Sequence, residues 1–95
     1  MPTYIMLSNL TDAGAKTVSK KPKRIHEVNE ELEKAGVKVL VQYATLGQYD
    51  FVNVVEADSN ATVAKASVKL AARGSIRITT LAAVDVEEFI GSLQE

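Results

Sequence analysis

Tyr49 and Asp50 stand side by side after Gly47 and Gln48. A carboxylate at such a turn can accept backbone amides while the neighbouring phenol hydrogen-bonds a ligand; the plainer role for Asp50 is to organise the turn itself. Arg24 follows Pro22 at an expected helix start, where its guanidinium and the free amides of the first turn could together hold a carboxylate or phosphate. Arg24, Tyr49 and Asp50 are therefore the candidate ligand contacts. His26 is the single imidazole of the chain and the natural candidate if acid–base chemistry occurs, with Tyr43 and Tyr49 as possible companions in a catalytic pocket. Only Glu30 has the one-turn spacing that shares a helical face with His26, so a metal site is not expected; no cofactor is expected either.

Lys16, Lys20, Lys21, Lys23 and Arg24 gather five of the 11 basic residues within nine positions. Most of them read as a solvated loop, and no aromatic residue that could stack on a base lies among them, which argues against nucleic-acid recognition. A net charge of −1 supplies no global field toward nucleic acid or an anionic membrane. Without cysteine the chain has no disulfide, thiolate nucleophile or thiolate metal ligand. No serine sits in a nucleophile elbow, and no glycine-rich phosphate loop or dinucleotide fingerprint occurs. Met1-Pro2-Thr3 does not open a signal peptide and no apolar run reaches the roughly 18 residues of a membrane span, so a cytoplasmic, soluble protein is expected.

At 95 residues, 46% of them hydrophobic, the chain is long enough for one core, and residues 1–95 are read as a single domain. Tyr4 to Leu10 forms a first apolar strand, and Thr11 or Asp12 can cap the helix that follows. Pro22 breaks that helix near Lys20-Lys21 and opens another, in which Ile25, Val28, Leu32 and Ala35 draw an apolar stripe ending at Gly36. Val37 to Leu46 and Phe51 to Glu56 are two strands joined by a tight turn, hence antiparallel neighbours. Asp58-Ser59-Asn60 caps an alanine-rich helix from Ala61 to Arg73, closed by Gly74. Ile76 to Leu81 is the last strand, and Asp85-Val86-Glu87-Glu88 opens a short terminal helix. The order is the βαββαβ of ferredoxin-like α+β folds, a four-stranded antiparallel sheet with both crossovers on one face.

Alternation gathers Ile5, Leu7, Val39, Val41, Val52, Val54, Ile76 and Ile78 on the covered face, and Tyr4, Met6, Leu40, Gln42, Phe51, Asn53, Val55, Thr79 and Leu81 on the open one. Met6, Leu40, Phe51, Val55 and Leu81 would then expose an apolar patch larger than monomers tolerate. The expected cover is a second copy, giving a homodimer or higher oligomer through the open sheet face; the alternative is the terminal helix folding back over its own sheet.

Gly47-Gln48-Tyr49-Asp50 after a valine-rich strand, Thr11-x-x-Gly14, Pro22-x-Arg24, and Ile78-Thr79-Thr80-Leu81 before Asp85-x-x-Glu88-Phe89 together resemble the GYD family over nearly the whole chain. Gln48 separates Gly47 from Tyr49, a departure from an adjacent Gly-Tyr-Asp. The resemblance implies a ferredoxin-like, dimeric α/β-barrel type of protein. Val41 to Thr80 is also similar to the effector-binding module of Lrp/AsnC-type regulators, in which small molecules bind near subunit interfaces. Two functions follow as expectations. One is an oligomeric small-molecule-binding or regulatory domain whose ligand is a small anionic metabolite or amino acid; the other, by analogy of fold, is a cofactor-independent oxygenase or isomerase.

Overall fold

Runs of β-branched and aromatic residues form four strands, β1 (Thr3–Leu10), β2 (Lys38–Ala44), β3 (Phe51–Glu56) and β4 (Ile76–Ala83), in the computed structural model, which describes residues 1–94. Between and after them lie helices α1 (Asp12–Lys20), α2 (Arg24–Lys34), α3 (Asn60–Ala71) and α4 (Val86–Leu93). The sheet order is β2-β3-β1-β4 with every neighbouring pair antiparallel, so the ferredoxin-like α+β arrangement is present.

The helix boundaries follow local chemistry. Thr11 Oγ1 accepts from Gly14 N at 3.2 Å and donates to Gly74 O at 2.7 Å, which both starts α1 and ties it to the turn before β4. Gly14 approaches that turn so closely that a Cβ there would overlap the Ser75 carbonyl oxygen. The first crossover is split, with the chain leaving α1 at Lys21 and resuming at Arg24 just past Pro22. Gly36, at φ +90°, takes the left-handed conformation that lets the chain turn from α2 into β2.

The face assignment read from alternation is reversed in β1 and β3. Met6 is 2% exposed and Val55 0%, both in the core with Tyr4, Leu32, Val37, Val63, Ala66 and Leu70. Phe51 also faces the helices, where it lines an interior cavity. The residues placed outward are instead Ile5 and Leu7, which lie opposite Val54 and Val52. In β2 a bulge changes the phase, because Val39 pairs with Val55 but Val41 pairs with Val54, the adjacent residue. Val39 therefore points inward, while Leu40, Val41 and Tyr43 are exposed. Ile76 and Ile78 pack on the core and Leu81 is exposed, as alternation predicts for β4.

Of the five residues that defined the expected patch, only Leu40 and Leu81 lie on the open face. The face is nevertheless apolar, since Ile5, Leu7, Val52 and Val54 fill its middle and Val41 its flank. Four polar strand residues, Ser8, Gln42, Asn53 and Thr80, turn toward the helices, while Arg77 and Thr79 of the edge strand β4 stay on the open side. This inverts the usual pattern of a sheet wetted on one side.

No residue of α4 is buried, and no helix among the described residues packs across the open face. The terminal helix thus does not fold back over its own sheet. Asp85 caps it by accepting from Glu87 N at 3.0 Å and Glu88 N at 3.3 Å. Val86, Phe89, Ile90 and Leu93 recur at intervals of three and four, so they form a single apolar stripe. All four are exposed, Phe89 by 54%.

Candidate functional site

Where α1, α2 and the end of α3 lean over β1, β3 and β4, they leave a cavity of about 90 Å³. Met6, Ser8 and Asn53 from the sheet meet Val28, Leu32 and Leu70 from the helices there. The lining surface is mostly apolar, which follows from the stripe of α2 and the inward phase of β1 and β4.

Three polar features interrupt it. Asn29 on α2 and Gln42 on β2 exchange amide hydrogen bonds, Asn29 Nδ2 donating at 2.8 Å and Gln42 Nε2 donating in return at 3.1 Å. Asn53 is 8% exposed and its Oδ1 has no hydrogen-bond partner. An unpaired buried carbonyl oxygen costs about 1–3 kcal/mol, more than an aliphatic side chain would in its place. At the rim, Arg24 Nη1 reaches Glu27 Oε1 at 3.3 Å and Glu31 Oε1 at 3.2 Å, while Arg73 pairs with the other oxygen of Glu31. The hydrogen bond from Arg73, aided by its charge and by Arg24, holds the Glu31 carboxyl below the usual glutamate range despite partial desolvation. Arg24 is raised in turn, first by its hydrogen bond to Glu27.

The candidate residues read from sequence are scattered around this site. Arg24 lines the cavity, with Nη1 of its guanidinium engaged by two carboxylates. Asp50 Oδ2 accepts from Leu10 N at 2.8 Å and Asp50 N donates to Ser8 O at 2.9 Å, so this residue fastens the β2–β3 turn to the end of β1. Tyr49 is half-buried in that turn, its carbonyl accepting from Thr45 Oγ1 at 2.6 Å. His26 is exposed on α2, and Tyr43 is 62% exposed on the outer face of the sheet. The structure does not bring His26, Tyr43 and Tyr49 into one pocket. Sequence reasoning missed Ser8, Asn29, Gln42 and Asn53. Asn53 could have been noticed as the polar interruption of Phe51-Val52-Asn53-Val54-Val55.

Among the described residues no group of three or more His, Asp or Glu side chains is placed to hold a metal ion, and no helix is long and apolar enough to cross a membrane. Compared with known proteins, residues 4–93 match the sequence profile of the GYD domain. The chain belongs to the GYD family. Its GYD domain therefore occupies nearly all of its length. A relative from Thermus thermophilus is 58% identical over 95 residues, covering 99% of this chain and 100% of that protein. That relative is named glutamine synthetase and cystathionine beta-lyase binding protein. No solved structure matches the chain.

Proposed function

We propose that this GYD domain is a cytoplasmic regulatory module without a reaction of its own, which pairs with itself through the open sheet face and docks on a metabolic enzyme through α4. The observation that carries the reading is the stripe of Val86, Phe89, Ile90 and Leu93, exposed on a capped helix. Isolated helices shorter than about 12–15 residues are marginal in water, so an eight-residue helix with no buried residue draws its stability from a partner. Anchors at i, i+3, i+4 and i+7 are the pattern by which an amphipathic helix seats in an apolar groove. The relative's name supports an enzyme as the owner of that groove, and glutamine synthetase and cystathionine β-lyase are the partners to test first.

The open face supports self-association. Four strands about 4.8 Å apart and about 20 Å long present a footprint of about 400 Å² per copy. Two such faces pressed together would remove on the order of 1,000 Å², near the lower bound of specific interfaces. A small-molecule effector remains part of the proposal, and its place is the cavity under α2 rather than a clamp built on Arg24. No specific observation favours the oxygenase or isomerase reading, because its would-be acid–base groups lie apart.

The test is to mix the purified chain with each purified enzyme of the same organism and follow complex formation by size-exclusion chromatography. Co-elution with either enzyme is expected. Separate elution from both at tens of micromolar would remove the basis for an enzyme-docking role.

A further inference from the structure

Asn53 is the polar residue that the covered face has least reason to hold. It is buried opposite Met6 in the β1–β3 ladder and lines the cavity beneath α2, yet its Oδ1 lacks a partner. The cavity around it is built from Met6, Val28, Phe51 and Ile78, with Ser8 beside them. Rotation about χ2 of asparagine is soft, so the amide can turn toward a group that enters.

The charge arrangement narrows what that group can be. Arg24 and Arg73 line the cavity but are matched by Glu27 and Glu31, so the rim offers no uncompensated positive charge. The other polar side chains of the lining, Ser8, Asn29, Gln42 and Asn53 among them, are uncharged. An anion entering there would lose its hydration without gaining a counter-charge. A neutral molecule with an apolar body loses little, and a donor on it would satisfy Asn53.

We infer that the cavity is a binding site for a small neutral molecule that joins an apolar body to a hydrogen-bond donor, with primary amides the best-matched class. Asn29 and Gln42 already show in this cavity how two primary amides pair, each donating to the other. A bound amide would repeat that pairing, its N–H donating to Asn53 Oδ1 and its carbonyl accepting from Asn53 Nδ2. The space of about 90 Å³ sets the size. An apolar cavity of roughly 150 Å³ accommodates the six heavy atoms of benzene, so about four heavy atoms fit here without displacing side chains, and a slightly larger body extends through the open mouth of the cavity. This inference rests on the effector part of the proposed function and names its ligand class; tested without any enzyme, it stands or falls apart from docking through α4.

The experiment is a nuclear magnetic resonance titration of the full chain, without any enzyme, using three isosteres: isobutyramide, 3-methyl-2-butanone and isobutyrate. The amide carries the donor, the ketone replaces it with a methyl group, and isobutyrate replaces it with a charge. Isobutyramide should give saturable shifts at the Met6 methyl, the Asn53 side-chain amide and the Ile78 methyls. The ketone should bind at least tenfold more weakly and isobutyrate more weakly still. Asn53→Leu should erase the preference for amide over ketone, and the wild-type series decides the matter if that variant fails to fold. No saturable shift with isobutyramide, equal binding of the ketone, or strongest binding of isobutyrate would each overturn the inference.

Discussion

Asn29 and Gln42 hold each other's amides in both directions, at 2.8 and 3.1 Å, and so fasten α2 to the edge strand β2. Both side chains are half-buried, so truncating one strands the other away from full hydration. Asn29→Ala should lower stability by about 1–2 kcal/mol, measured by urea denaturation. Adding Gln42→Leu to Asn29→Leu should cost less than the sum of the single changes, because no orphaned amide is left. Strict additivity would show that the two residues do not act as a pair.

Glu31 makes stability depend on pH in a defined direction. Its carboxyl is held below the ordinary value, first by the Arg73 hydrogen bond, so its contribution is present above the unfolded-state pKa and is lost as pH falls through the folded-state pKa. Between neutral pH and the acid range below about pH 4, the wild type should lose more stability than Glu31→Gln. Because the pair is over a third exposed, the difference should stay within about 1 kcal/mol and shrink in high salt. Parallel pH profiles for the two proteins would remove this role from Glu31.

Val54 sits mid-face on the open side of the sheet, between Ile5 on β1 and Val41 on β2. Val54→Lys places a charge at the centre of the proposed self-association surface while leaving the helix-covered core untouched. Light scattering should report a mass above the 10.3 kDa of one chain for the wild type and a monomer for the variant. A monomeric wild type at micromolar concentration would show that the face is covered by something other than a second copy.

The element order was legible because the punctuation is local. Thr11, Ser59 and Asp85 cap their helices with their own side chains, Pro22 divides the first crossover, and Gly36 and Gly74 take the positive φ that follows α2 and α3. Which face each strand buries was not legible. Tyr4-Ile5-Met6-Leu7 is apolar in both phases, so alternation offers nothing to decide between them. In β3 the single polar residue before Glu56 is Asn53, and it points inward, against the usual sense. The bulge beside Leu40 then changes phase within β2, which no count of alternate positions anticipates. The candidate site was hidden for the same reason: its polar groups are isolated on separate strands and a helix, and only the fold brings Ser8, Asn29, Gln42 and Asn53 to one cavity.

Docking through α4 is tested most directly by titrating glutamine synthetase and cystathionine β-lyase with the wild type, Phe89→Asp and Val54→Lys in a calorimeter. Losing a buried hot-spot anchor costs an interface about 2 kcal/mol or more, so Phe89→Asp should weaken binding at least tenfold. Its mass by light scattering should match the wild type, because the sheet face is unchanged. If Phe89→Asp binds as tightly as the wild type, or if it loses self-association while keeping the enzyme, α4 is not the docking helix and the account is contradicted.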